Sequence, residues 1–183
     1  MSSDVERRRR FEAIADEVYG SLQRYLRRRA SPDEADDAFG DALLTIWRRL
    51  DQVPADAALP WSYGVARRCL ANRRRSARRH LRLVERLSSR QGTPPSNDPA
   101  DHEEHPELAA ALRALPEAER ELLTLWAWEQ LEPREIAVVL DTTANAISLR
   151  LTRAKAKLAA ELARQDAHRA GHGASEHTEE HRP

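Results

Sequence analysis

Apolar residues recur at helical spacing along most of the chain, and no stretch shows the strict alternation of a β-strand. The first helical pattern runs from about Val5 to Arg29, and the second runs from about Pro32 to Leu50. In the second pattern the apolar residues are three positions and one position apart in turn, which places them on one face of a helix. They are Phe39, Ala42, Leu43, Ile46, Trp47 and Leu50. Both segments are therefore predicted to be amphipathic helices.

A third helical pattern begins at Trp61, after a predicted loop from Pro54 to Pro60. Its apolar side extends to Leu87, while its other sides are almost entirely arginine. Between Trp61 and Arg90 there are ten arginines and one glutamate, a net formal charge of +9. So dense a charge repels itself, and it therefore favours a surface that meets an anion.

Two aromatic residues, Trp61 and Tyr63, stand at the start of this basic segment. Rings that stack on bases, beside arginines that follow the phosphate backbone, are typical of sites for single-stranded nucleic acid. In the alternative, the rings belong to the core and the arginines are merely solvated. The charge density favours nucleic acid for the arginines, whereas both interpretations stay open for Trp61.

The stretch from Leu131 to Leu158 predicts a helix-turn-helix. Pro133 suits the first position of a helix, and Asp141 tolerates the left-handed backbone of a tight turn. The expected buried stripe of the second helix consists of Ile147, Leu151, Ala154 and Leu158. A polar face with basic flanks lies opposite, as insertion into a DNA major groove requires. The alternative is an ordinary helical hairpin whose basic face is solvated.

The pattern as a whole predicts an all-α protein of two small helical domains joined by a flexible linker. The domains are expected at residues 1–90 and 107–165, and the linker, rich in Ser, Gly, Pro and acidic residues, at 91–106. The core of the second domain is expected to include Leu122, Leu123, Leu125 and Trp126. The His-rich tail at 166–183 is predicted to be disordered rather than to hold a metal through His168 and His172.

Composition narrows the function classes. The 183 residues have a formal net charge of zero, but the charge is segregated: residues 33–41 hold five acids and no base. The single cysteine, Cys69, excludes an intrachain disulfide and a cysteine-based zinc site, and it is expected to be a buried core thiol. No signal peptide, apolar run of transmembrane length or catalytic motif is found. We therefore expect a soluble cytoplasmic protein without membrane insertion, cofactor, bound metal or enzymatic activity.

Three motifs, in this order, resemble the extracytoplasmic function subfamily of bacterial RNA polymerase sigma factors. ADDAFGDALLTIWRRL (Ala35–Leu50) is similar to the region 2 helix that docks on polymerase. PWSYGVARRCLANRRRS (Pro60–Ser76) is similar to the segment that melts and reads the −10 promoter element. The stretch from Leu112 to Leu158 is similar to region 4, whose helix-turn-helix reads the −35 element. The resemblance covers nearly everything from Phe11 to Leu162.

The resemblance implies three sets of site residues and their partners. Core polymerase, through the clamp helices of its β′ subunit and through its β subunit, would be bound by Asp36, Asp37, Gly40 and Asp41. The −10 DNA would be bound by Trp61, Arg67, Arg68, Asn72, Arg73 and Arg74. The −35 DNA would be bound by Asn145, Ser148, Leu149, Arg150, Thr152, Arg153 and Lys155. Subfamily members are often held inactive by an anti-sigma protein, which is a further candidate partner.

The chain departs from the subfamily at positions that matter for recognition. Gly40 stands where the docking motif usually has Gln, and Arg68 stands where the −10 motif often has Asn. Ser148, Leu149 and Thr152 are uncharged at positions expected to face bases. Fewer long hydrogen-bond donors there favour a weaker or a more apolar reading of the −35 element, such as contact with thymine methyl groups.

Two rival functions come from other classes. A stand-alone transcriptional regulator would use the helix-turn-helix as a dimer and never contact polymerase, but it leaves the acidic helix and the Trp61 cluster without a role. A general RNA-binding or metal-sensing protein with the His-rich tail as sensor is the more distant alternative.

Overall fold

The computed structural model of the chain describes residues 2–87 and 105–175, and these ranges contain helices, turns and no β-strand. The helices are α1 (Ser2–Arg27), α2 (Pro32–Arg48), α3 (Ala58–Leu87), α4 (Pro106–Ala114), α5 (Glu117–Ala127), α6 (Pro133–Leu140) and α7 (Ala144–Ser175). A short 3₁₀ turn, Leu50–Gln52, follows α2. The all-α prediction is confirmed. The predicted linker falls outside the described residues except at its end, as do residues 176–183 of the predicted tail.

Two compact units make up the chain. The first contains α1–α3 together with Arg134–Ala144, which covers most of α6 and the turn after it, and the second contains α4, α5 and most of α7. In the first unit α1, α2 and α3 pack on one another. Their buried side chains include Val18, Leu22 and Leu26 of α1 and, from the predicted stripe of α2, Ala42 and Ile46.

Helix α2 begins where the sequence predicts. Pro32 occupies the first turn, and the Ser31 side chain accepts a hydrogen bond from the Glu34 backbone N–H at 3.4 Å. A capping oxygen of this kind satisfies one of the free donors at a helix start. Acidic residues in the same turn complement the helix dipole. The start of α2, and with it the orientation of its acidic residues, is therefore set locally.

Helix α3 starts at Ala58, three residues before the predicted Trp61, so the loop before it is shorter than expected. Its apolar side is buried at Val65, Ala66 and Leu70. Every residue from Arg75 to Arg82 is exposed, and Leu81 is 36% exposed. The predicted apolar side of α3 is therefore not buried at Ala77 and Leu81, because periodicity gives the face of a residue but not whether another helix covers it.

In the second unit the core includes Leu122, Leu123 and Leu125 of α5, as predicted. Trp126 is the exception: it is 41% exposed and lies beneath the Lys155 ammonium, whose Nζ is 3.3 Å from the ring centroid. Its expected place in the core is therefore wrong. An indole beside a cation can remain partly exposed, because the cation is attracted to the face of the ring.

The helix-turn-helix follows the predicted order along the chain. Helix α6 begins at Pro133, and Asp141 after it has a φ of 52°, the left-handed conformation that its type tolerates. Ile147, Leu151 and Ala154 of α7 are buried, and Leu158 is half-buried, which confirms the predicted stripe.

The sequence predicts an unstructured tail from residue 166, whereas α7 continues to Ser175. Extending a formed helix adds one hydrogen bond for each residue fixed, so it is easier than starting one. Among the described residues, no helix is long and apolar enough to cross a membrane.

Candidate functional site

The acidic face of α2 consists of Asp36, Asp37, Gly40 and Asp41, and all four are exposed. They lie opposite the buried residues Ala38, Ala42 and Ile46, because helical positions three and four apart share one side. The predicted polymerase-binding residues therefore form one continuous surface.

The carboxylates of the acidic face are paired with arginines of neighbouring helices. Arg73 of α3 donates to Asp41 at 2.9 Å and also contacts Asp37, while Arg27 of α1 lies 3.7 Å from Asp36. The hydrogen bond to Asp41 raises the pKa of Arg73. All these side chains are substantially exposed, and exposed pairs of this kind are worth only about 0.2–1 kcal/mol each. A partner with a suitable basic group can therefore replace them at little cost.

Sequence reasoning missed Leu44 on this face. It follows Gly40 by one helical turn and is 46% exposed. A Cβ at Gly40 would have no atom within 4 Å, so the surface beside Leu44 is open. Leu44 adds apolar area to the acidic face, and burial of that area by a partner would be favourable. The sequence could have identified Leu44 as exposed, because it lies outside the stripe of apolar residues that are three positions and one position apart on the same helix.

The α3 stripe is an exposed row along the basic helix, on the side opposite the buried Tyr63, Ala66 and Leu70. Spacings of seven, four, three and four residues place Trp61, Arg68, Asn72, Arg75 and Arg79 on this row. Trp61 is half-buried and the other four are exposed. Arg75 also donates to the Asn72 side-chain oxygen. The stripe thus joins an aromatic ring to a row of cationic and amide groups.

Two of the predicted −10 residues lie elsewhere. Arg73 faces α2 through its carboxylate partners, and Arg74 pairs with Glu34 at 3.2 Å and donates to the carbonyl of Arg29. Arg67 is exposed on the flank of α3. The structure therefore brings Trp61, Arg68 and Asn72 together and separates Arg73 and Arg74 from them.

Arg75 and Arg79 were not among the predicted site residues. Their helical spacing from Trp61 could have placed them on the same side of α3 as Trp61. The run of arginines obscured this spacing, because arginine occupies several sides of α3. Only the buried side of the helix distinguishes outward arginines from those that join α2.

The recognition face of α7 lies opposite its buried stripe and carries Asn145, Leu149, Thr152 and Ala156 along its centre, with Arg153 beside them. All seven predicted −35 residues are exposed. Ser148 and Lys155 lie on one flank and Arg150 on the other. Leu149 is 54% exposed at the centre of the face.

Two family models match the chain, in the order of these surfaces. The model described as sigma-70 region 2 matches residues 10–80, and the model described as sigma-70, region 4 matches residues 105–158. Together they span α2, α3 and the helix-turn-helix. The chain belongs to the sigma-70 family, as a sigma factor of the extracytoplasmic function type. A sigma factor of this type directs RNA polymerase to promoters.

Solved structures share the fold of this sigma factor at low sequence identity. The sigma factor RpoE in complex with the anti-sigma factor NepR from Bartonella quintana is 20% identical, with a TM-score of 0.58, over 83% of this chain and 96% of that one. CnrH in complex with the cytosolic domain of CnrY is 24% identical, with a TM-score of 0.56, over 85% and 88%. PhyRSL in complex with NepR from Sphingomonas sp. Fr1 is 20% identical, with a TM-score of 0.56, over 82% and 87%. No curated protein sequence matches the chain.

In this sigma factor, the acidic face and the α3 stripe both fall within region 2, and the recognition face falls within region 4.

Burial and the charge of Asp41 raise the pKa of the Cys69 thiol, and burial is the larger cause. Its Sγ lies 3.9 Å from the Thr45 hydroxyl between α2 and α3. Cys69 is therefore half-buried against a neighbouring helix, whereas the sequence predicted a buried core thiol. No group of three or more potential metal ligands occurs among the residues that the structure describes.

Proposed function

We propose that this sigma factor divides its work among the three surfaces, with the acidic face for polymerase, the α3 stripe for the −10 element and the recognition face for the −35 element. The proposal is supported above all by one observation, that the seven predicted −35 residues of α7 are all exposed, on the side of the helix away from its buried apolar stripe. That arrangement is what a helix in a major groove requires. The protein itself catalyses no reaction, and it supplies promoter choice to the polymerase.

Core polymerase docks on the acidic face, through the clamp helices of its β′ subunit, and the β subunit is its second contact. Asp37 and Asp41 exchange Arg73 for basic groups of the partner, which the small free energy of exposed ion pairs allows. Leu44 adds apolar area next to them. Gly40 leaves room for a partner side chain, because no atom lies within 4 Å of its Cβ position.

The α3 stripe holds the opened −10 strand. Trp61 stacks on an unpaired base, and base–aromatic stacking of this kind is worth about 1–3 kcal/mol. Unstacking a base from the duplex costs a few kcal/mol, so the contact with Trp61 and the neutralisation of phosphates by Arg68, Arg75 and Arg79 offset that cost. Arg67 contributes from the flank. Arg73 and Arg74 join this surface only by leaving their carboxylate partners.

The recognition face enters the major groove at the −35 element. Leu149, Thr152 and Arg153 approach base edges, while Arg150 and Lys155 on the flanks approach phosphates. Asn145 at the start of the helix is placed to reach an adenine or a phosphate, since its amide both donates and accepts.

The domain organisation belongs to the same proposal. Residues 1–90 form the domain that binds polymerase and the −10 element, and residues 107–165 form the domain that binds the −35 element, with 91–106 as the linker between them. An anti-sigma protein is a further partner, and the solved complex of RpoE with an anti-sigma factor supports it. Because it works on polymerase, this sigma factor acts in the cytoplasm.

Association with core polymerase separates this proposal from a stand-alone regulator. We expect the purified chain to co-elute with core polymerase, and Leu44→Asp to weaken that association about tenfold or more, because burial of a leucine side chain is worth about 1.5–3 kcal/mol. Val5→Asp is the matched control, since Val5 is 64% exposed on α1 and lies outside all three surfaces. A chain that does not associate with core polymerase contradicts the proposal.

A further inference from the structure

The centre of the recognition face has no long hydrogen-bond donor. Leu149, Thr152 and Ala156 follow one another there at spacings of three and four, and all three are exposed. Leu149 is 54% exposed, while its neighbours in sequence on the inner side, Ile147 and Leu151, are 0% and 6% exposed. Position 149 could therefore hold a polar residue at no cost to the core, yet it presents the isobutyl group of leucine to the outside.

The Thr152 hydroxyl does not supply the missing donor. Its Oγ1 donates to the backbone carbonyl of Ser148, one turn earlier, at 3.0 Å. Because a hydroxyl has one proton, that hydrogen bond commits its donor to the helix itself. Thr152 is left with an acceptor and a methyl group for anything that approaches the face.

Basic residues flank this apolar centre on both sides. Arg150 is exposed on one flank, next to Leu149 in the sequence, and Lys155 on the other flank is held against the Trp126 ring of α5. Charge of this sign is complementary to the two phosphate backbones that border a groove. The surface is therefore suited to an anionic partner with an apolar group at its centre.

We propose that Leu149, with Thr152 beside it, is the specificity-determining contact for the 5-methyl group of thymine in the −35 element. That methyl is the one apolar group on the base edges of the major groove, so it is the group that an apolar side chain can select. Leu149 is the sixth residue of α7 and so lies near its N-terminal end, which is the end of a recognition helix that approaches the bases. This inference rests on the proposed function, because it names the chemistry that the −35 surface selects.

Uracil scanning tests the inference at the level of one methyl group. Holoenzyme reconstituted from core polymerase and the full chain is first used to select −35 sequences from a random library. Each thymine of the selected element, on either strand, is then replaced by deoxyuridine, which removes the methyl and leaves all hydrogen-bonding groups in place. We expect at least one replacement to weaken holoenzyme binding about fourfold, the transfer value of one buried methylene group.

The variants assign the effect to residues. Leu149→Ala should bind the thymine and uracil templates equally, whereas Leu149→Met should retain the discrimination. Thr152→Val should also retain it, because the Thr152 hydroxyl is committed to Ser148. Val5→Ala is the matched control, because Val5 is an exposed apolar residue of α1, far from α7 in the sequence. This variant should leave the discrimination unchanged.

The outcomes distinguish this inference from the function on which it rests. Selective transcription with no uracil effect at any position, or a selected element without thymine, overturns the thymine contact and leaves the sigma function standing. An undiminished uracil effect in Leu149→Ala overturns the assignment to Leu149. A holoenzyme that starts no transcript overturns the proposed function and the inference with it.

Discussion

Arg73 donates a hydrogen bond from Nη1 to Oδ2 of Asp41 at 2.9 Å, although the two residues lie 32 positions apart in the sequence. The contact joins α3, whose arginines are predicted to meet DNA, to the acidic face that is predicted to meet polymerase. Arg73 uses donors on both terminal nitrogens of its guanidinium for Asp41 and Asp37, so a phosphate at Arg73 would compete with these carboxylates for its positive charge. We therefore expect binding of polymerase at Asp41 and binding of DNA at Arg73 to be linked through this pair.

A double-mutant cycle measures the pair. We expect Arg73→Ala and Asp41→Ala each to lower the free energy of unfolding slightly, and the double variant to lose less than their sum, with a coupling of up to about 1 kcal/mol. Chemical denaturation of the four proteins gives the coupling. Arg78→Ala, also on α3 but exposed beyond the packed region, is the control and should show no coupling to Asp41→Ala. Additive effects of Arg73→Ala and Asp41→Ala would show that the pair contributes nothing.

The outward arginines of α3 should set the salt dependence of promoter opening. Arg75→Ala with Arg79→Ala removes two phosphate contacts, so the slope of log K against log salt should fall by up to about 1.4, at about 0.7 for each contact with a single strand. Promoter preference should not change, because phosphate contacts carry no sequence information. The measurement is open-complex formation at several salt concentrations.

The control for that experiment is Arg8→Ala with Arg9→Ala, two exposed arginines of α1 outside the three surfaces. This variant should keep the slope of the unmodified protein. An equal fall in slope for both double variants would mean that general positive charge, rather than the α3 stripe, binds the DNA.

Ser62 is fully buried in α3, and its hydroxyl has no hydrogen-bond partner. A buried polar group without a partner costs about 1–3 kcal/mol of stability. Ser62→Ala should therefore raise the free energy of unfolding by about 1 kcal/mol or more. Ser76→Ala, an exposed serine on the same helix, corrects for the higher helix propensity of alanine. If both substitutions give the same gain, burial of the Ser62 hydroxyl carries no cost.

Cys69 should titrate above the range of an ordinary thiol, because burial raises its pKa. As the only cysteine of the chain, it can be followed alone with a thiol reagent. We expect its reaction rate in the folded protein to be low at neutral pH, and its pH midpoint to lie above that of the denatured chain. A midpoint at or below the denatured value would contradict the burial.

The same shift fixes a sign for stability. A thiol whose folded pKa is raised favours the folded state while it is protonated, so this contribution is complete below the unfolded pKa and is lost as the pH rises through the folded one. The free energy of unfolding should therefore fall as the pH rises from the unfolded to the folded pKa of the thiol. The Cys69→Ser variant should not show this fall.

Periodicity alone predicted the helices and the buried stripes, because spacing decides which side of a helix is apolar. It could not decide what covers that side: Trp126 was expected in the core although it is exposed, and Leu81, on the apolar side of α3, is exposed as well. Nor could it separate Arg73 from Arg75: the run of arginines looks uniform in sequence, whereas one of them contacts Asp41 and the other lies on the outward row. Leu149 shows the converse, since its place opposite the buried stripe was readable from spacing.

Run-off transcription from a library of random promoters, with purified core polymerase and the full chain, tests the account most directly. We expect transcripts to start from a subset of templates that share two sequence elements, one upstream contacted by α7 and one at the opened region contacted by α3. Core polymerase alone should not select this subset. If the chain adds no selective initiation to core polymerase on any template, the account is contradicted.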